Sequence, residues 1–205
     1  MYICAVRRTK KDAEQTMDDL LDSAIGLFIK NGYSAVSLEQ IASGIGMTRG
    51  ALYHHFTSKE DILNALIKRE RNSFENKLGE LFIEKVEPTA HLKKILDHLV
   101  TNFYENKRFN RFIHFTWFKI ESSLLDNKFI YQGATNERLV LEITSIIKKG
   151  QKKGIFDKGT PALVLALEIT SAILGMYRLS FQAKKHMDKK SGQAMIKHFM
   201  NSIQL

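Results

Sequence analysis

The stretch Ser37–Phe56, SLEQIASGIGMTRGALYHHF, constrains this chain more than any other. Ser37 is placed to cap a helix, and Gln40 three residues on completes a capping box. Leu38, Ile41 and Ala42 share one apolar face. Gly44 and Gly46 then break the helix, because glycine takes the positive φ that a tight turn needs. Thr48 caps a second short helix, from Arg49 to about His55. Ala42 and Gly46 are small where two helices would cross, and Ile45, Met47, Leu52 and Phe56 are apolar where they would pack. Two short helices joined in this way form a helix-turn-helix, whose second helix enters a DNA major groove.

An ordinary helical hairpin shares that spacing. The outward face separates the two readings. Thr48, Arg49, Gly50, Tyr53, His54 and Lys59 are donors or small residues, and no acid stands between Gln40 and Lys59. A surface meant for phosphates has that character.

Charge supports the location only through its local placement. The 205 residues carry a net charge of +9, which favours an anionic partner. Residues 1–60 balance seven Lys/Arg against seven Asp/Glu, so the whole excess lies further along. Within the first part, Asp12, Glu14, Asp18, Asp19 and Asp22 are kept apart from Arg7, Arg8, Lys10, Lys11, Arg49 and Lys59. The basic arm of residues 1–10 is suited to tracking phosphates or entering a minor groove, or is simply a solvated end.

Other classes are disfavoured. No run reaches the roughly 18 apolar residues of a membrane span, and the basic start lacks the apolar core of a signal peptide. One cysteine, Cys4, excludes an intramolecular disulfide and a cysteine zinc site. The chain has no phosphate-binding G-x-x-x-x-G-K-[ST], no G-x-S-x-G and no H-E-x-x-H, and its histidines are scattered. No catalytic residue, metal or cofactor is therefore expected, and the cytoplasm is the expected location.

Helical spacing continues throughout. Met17, Leu20, Leu21, Ala24, Phe28 and Ile29 mark a helix over about 11–31, closed by Gly32. Thr57 and Ser58, with Glu60 or Asp61, start a long helix that reaches Phe82. Further helices are expected from Thr89, from near Tyr131 to Lys149, from Pro161 after a Thr160 cap, and from Lys189 to Ile203. The expected fold is all-α, with a DNA-binding domain over 1–57 and a larger helical bundle over 58–205.

The N-terminal segment resembles a family. A first helix ending LFIKNGY, then SLEQIASGIGMTRGALYHHFTSKEDIL, is similar over residues 9–66 to the DNA-binding half of TetR-type repressors. The arm RRTKKDAEQT and MTRGALYHHF resemble, within that family, the AcrR-like repressors of multidrug efflux pumps. The resemblance implies a homodimer on a pseudopalindromic operator in double-stranded DNA. It implies Thr48, Arg49 and Gly50 at base edges, with Arg49 directed at guanine. It places Ser37, Tyr53, His54 and Lys59 on phosphates, with Arg8 and Lys10 in the arm, and it makes the long fourth helix the carrier of movement between the two halves.

The second half matches the family in layout. Phe103 and the aromatic run Phe109, Phe112, Phe115, Trp117 and Phe118 suit either a packed core or a cavity for a flat apolar effector. Glu121 and Glu168 each follow an apolar run, where a buried carboxylate needs a partner. That partner is an arginine, a hydroxyl or a cationic effector. PALVLALEITSAILGMYRLSF is apolar nearly all round, which suggests that a second subunit covers one side. The family pairs its last two helices between subunits, which implies an interface of Ile169, Ile173, Met176, Tyr177, Met195 and Phe199. Alternatives are a regulator of another pathway, such as lipid or small-metabolite sensing, a DNA-binding protein that takes no ligand, and a helical-bundle enzyme.

Overall fold

The computed structural model describes residues 10–84, 86–119 and 130–204, without the side chains of residues 10, 11, 13 and 130–135. The described residues form helices α1 (Lys10–Asn31), α2 (Leu38–Ser43), α3 (Arg49–Tyr53), α4 (Lys59–Phe82), α5 (Pro88–Glu105), α6 (Lys107–Phe118), α7 (Ile130–Lys152), α8 (Ala162–Gln182) and α9 (Lys189–Ile203). The fold is all-α, as expected. The chain divides into two compact units, Met1–Arg71 with Arg111–Glu121, and Asn72–Asn110 with Ser122–Leu205.

In the first unit, α1 supplies the inner wall. Leu20, Ala24, Ile25 and Phe28 are wholly buried, as are Ile41 of α2, Leu52 of α3 and Ile62, Leu63 and Leu66 of α4. Phe115 stacks on Phe28 with ring centroids 5.5 Å apart. Gly32 ends α1 at φ 83°, and its N–H donates to the Phe28 carbonyl. Ser58 begins α4: Asp61 N–H donates to Ser58 Oγ, and the Asp61 carboxylate accepts from Ser58 N–H and Thr57 N–H. Asp61, rather than Glu60, therefore closes that capping box.

One polar knot lies within this unit. Arg69 donates to Asp18 Oδ1 at 3.0 Å, Asp22 Oδ1 at 2.7 Å and Glu70 Oε1 at 2.8 Å, joining α4 to α1. Glu70 is 2% exposed, and a carboxylate so buried is tolerable only when paired.

In the second unit, α5 lies under α7, α8 and α9 and buries Leu92, Ile95, Leu96, Leu99, Val100 and Phe103. Gly150 does not end a helix, as its position suggests, but lies within α7. The Phe156 ring sits where its Cβ would be, at 2.1 Å, so no larger residue fits. α8 starts one residue later than Thr160-Pro161 suggests. Pro161 is its N-cap, and no side chain caps it.

Among the described residues, α8 is the one helix long and apolar enough, by length and composition, to cross a membrane, with Glu168 and Arg178 inside it. A buried core helix passes the same test. One expectation is corrected, because α8 is not buried all round: Leu165, Ala166, Ile169, Thr170, Ile173, Met176 and Tyr177 face the core, while Leu163, Val164, Leu167, Glu168, Ser171, Gly175 and Leu179 are exposed.

Candidate DNA-recognition site

The recognition segment is built by local hydrogen bonds. Gln40 N–H donates to Ser37 Oγ at 3.2 Å, and Ser37 N–H donates to Gln40 Oε1 at 2.8 Å. The turn then separates the roles of its two glycines. Gly46 has φ 68°, where a side chain is strained. Gly44 is helical at φ −59°, and its smallness serves the approach of Ser23 Oγ, 2.3 Å from where a Cβ would stand. Thr48 Oγ1 accepts from Ala51 N–H at 3.2 Å and starts α3.

α3 turns Leu52 inward and leaves Thr48, Arg49, Gly50, Tyr53 and His54 exposed. Arg49 is not loose. Its Nη1 pairs with Glu39 Oε1 of α2 at 2.6 Å, and its Nη2 donates to the Tyr53 hydroxyl at 3.1 Å. The guanidinium carbon also lies 5.4 Å from the Tyr53 ring centroid. Backbone and Ser37 hydrogen bonds, with Arg49 opposite, hold the Glu39 carboxyl below its ordinary pKa. The bond to Tyr53 and the charge of Glu39 raise that of Arg49.

Lys59 departs from its expected role. Its Nζ donates to the carbonyls of Tyr33, Ser34 and Val36 at 2.8, 3.1 and 2.9 Å, which uses all three of its N–H groups. The ammonium thus binds the connector ahead of α2 rather than standing ready for a phosphate. Ser37 is exposed, with its hydroxyl accepting the cap bond. Arg8 and the Lys10 side chain lie outside the described residues.

Residues 20–66 match the bacterial regulatory proteins, tetR family. The HTH-type transcriptional regulator AcrR of Shigella flexneri is 32% identical over 161 residues, covering 76% of this chain and 72% of that protein. The chain belongs to the tetR family. The regulator TtgR of Pseudomonas putida is 25% identical over 166 residues, 78% of this chain and 79% of its own. Among solved structures, a SmeT–triclosan complex superposes with a TM-score of 0.76 at 20% identity, covering 93% of this chain and 92% of that one. SmeT is the repressor of the Stenotrophomonas maltophilia multidrug efflux pump SmeDEF.

In this tetR-family regulator Phe103, Phe109, Phe112 and Phe115, expected at the effector site, are buried. Phe112, Phe115, Trp117 and Phe118 belong to the first unit, Phe103 and Phe109 to the second. Phe103 stacks on Tyr177 at 4.2 Å and Phe109 on Phe74 at 5.0 Å, so those ring faces are occupied. Glu121 lies outside the described residues. Glu168 is exposed on the outer face of α8, so no burial cost needs a partner there.

The expected interface residues need a similar correction. Ile169, Ile173, Met176 and Tyr177 are 2%, 6%, 1% and 4% exposed and pack inside their own chain. The Tyr177 hydroxyl donates to the Leu99 carbonyl at 2.9 Å. Met195 is exposed and Phe199 half-buried. Between α8 and α9 lies an apolar pocket of about 200 Å³, lined by Ile169, Ala172, Ile173, Met195, Ile196 and Phe199 among others. On α8 the large apolar residues that reach solvent are Leu163, Val164, Leu167 and Leu179. Hydropathy alone cannot tell them from the core set.

Proposed function

We propose that the chain acts as a homodimeric, ligand-responsive repressor on a pseudopalindromic operator. The observation that carries this is α3: a capped helix that buries Leu52 and presents Thr48, Arg49, Gly50, Tyr53 and His54. Arg49 reads guanine, with Thr48 and Gly50 at neighbouring base edges. Ser37, Tyr53 and His54 hold phosphates, together with Arg8 and Lys10 of the arm. Two copies, joined through α8 and α9, present two such helices to successive major grooves.

The effector is a small hydrophobic or cationic compound taken up by the C-terminal helices. Its capture releases the operator, and the regulated gene encodes a multidrug efflux pump. Kinship with AcrR and likeness to SmeT support this reading. A hundredfold loss of operator affinity requires about 2.7 kcal/mol of coupling, within the usual range.

The test is a gel shift on the upstream region of the protein's own gene, with and without tetraphenylphosphonium. A retarded band that disappears with the cation is the expected result. A shift unchanged at saturating concentration of the cation would favour a DNA binder blind to ligand. Arg49→Ala should weaken operator binding by about 1–3 kcal/mol and leave effector binding intact.

A further inference from the structure

Arg49 is the one Lys or Arg between Lys30 and Lys59. Lys59 spends its three donors on carbonyls. The helix-turn-helix therefore offers DNA a single guanidinium, and the structure places a carboxylate against it. Glu39 Oε1 is 2.6 Å from Arg49 Nη1, although the two side chains are 46% and 61% exposed and free to turn elsewhere. An acid at this surface opposes binding to phosphates, which drive sequence-independent affinity.

We propose that Glu39 is a specificity-determining residue: it holds the Arg49 guanidinium for a two-acceptor base edge and withholds it from isolated phosphates. The inference rests on the reading of α3 as the recognition helix. A guanidinium has five N–H groups in one plane. Glu39 and the Tyr53 hydroxyl engage two nitrogens, which leaves three N–H groups. Guanine needs two of them, for O6 and N7. The ion pair can thus persist while the base is read, and it fixes the plane in which the reading occurs. A lone phosphate oxygen rewards no such plane, and it must compete with a carboxylate already in place. Ser37 and Gln40 cap the helix that carries Glu39, so its position is set by the same box that starts the motif.

The test compares full-length protein, Glu39→Gln, Arg49→Ala and the double variant. The probes are a duplex carrying the footprinted operator and a scrambled duplex of equal length, read by fluorescence anisotropy over a salt series. Glu39→Gln should tighten the scrambled duplex about fivefold to tenfold at 0.1 M salt and steepen its salt slope by about one, the effect of one added phosphate contact. Operator affinity should hold or fall, so the ratio between the duplexes drops about tenfold. In the Arg49→Ala background Glu39→Gln should leave the ratio unchanged. Glu39→Asp, one methylene shorter, should lose discrimination at the base pair that Arg49 reads, and full retention would count against the proposal.

An unchanged ratio in Glu39→Gln, with Arg49→Ala still weakening the operator, overturns this inference alone. If Arg49→Ala leaves operator affinity intact, the reading of α3 fails and this inference falls with it.

Discussion

Lys59 Nζ lies 2.8 Å from the Tyr33 carbonyl oxygen and 4.6 Å from the centroid of the same residue's ring. One ammonium therefore closes the connector between α1 and α2 by its charge and by its hydrogen bonds. Hydrogen bonds to a charged group contribute more than neutral ones, and an orphaned carbonyl retains its desolvation cost. Lys59→Met should lower unfolding free energy by about 2 kcal/mol in urea titration. A change confined to DNA affinity, with stability intact, would restore Lys59 to the phosphate role.

Acid should loosen the start of α4. The Asp61 carboxyl has a pKa lowered from 3.8, chiefly by hydrogen bonds from Thr57 and then Ser58. A group whose folded pKa lies below its unfolded one contributes stability above the unfolded value and loses it as pH falls through the folded value. The urea midpoint should therefore drop as pH is lowered below about 4. In Asp61→Asn the midpoint should be lower at neutral pH and its fall in acid shallower. Parallel curves for the two proteins would show that this cap does not titrate with folding.

Arg69 holds carboxylates of Asp18, Asp22 and Glu70 with one guanidinium. Burial opposes its charge, but the bonds to Asp22, Asp18 and the charge of Glu70 raise its pKa on balance. Removing one partner of a buried pair costs about 3–5 kcal/mol. Half of this cluster is exposed, so Arg69→Met should cost about 3 kcal/mol, measured by denaturant unfolding. Arg69→Lys should recover only part, because an ammonium cannot reproduce the planar fork.

What could be read in the sequence was what hydrogen bonds fix within a few residues. Ser37 with Gln40 and Thr48 with Ala51 span three residues each, and both caps form. What escaped reading depends on distant segments meeting. Glu39 meets Arg49 only after the turn at Gly46, and Arg69 meets Asp18 from 51 residues away. Composition could not foretell that Lys59 faces carbonyls, since a phosphate attracts the same charge. For α8 the limit is different: leucines of a core and leucines of an interface have the same hydropathy, so Ile169 and Tyr177 read as interface although they are buried in their own chain.

That distinction yields the last prediction. Single exposed apolar residues are ordinary on any surface. On α8, Leu163, Val164 and Leu167 are 47%, 42% and 48% exposed and repeat at helical spacing, with Leu179 at 45% further along. Met195 of α9 is 37% exposed and lines the neighbouring apolar pocket. Exposed apolar residues gathered within one turn of a helix, as Leu163, Val164 and Leu167 are, mark a surface that a partner covers. In a two-fold dimer each residue is buried twice, so a substitution counts twice. Burial of a leucine contributes about 2 kcal/mol, and a glutamate in its place adds a desolvation cost. Leu167→Glu should therefore raise the dimer dissociation constant by about a thousandfold or more. Sedimentation velocity at micromolar concentration should show a monomer that retains its helical circular dichroism. Lys148→Glu, exposed on α7, should remain dimeric. A Leu167→Glu protein that still sediments as a dimer would place the subunit contact on another face.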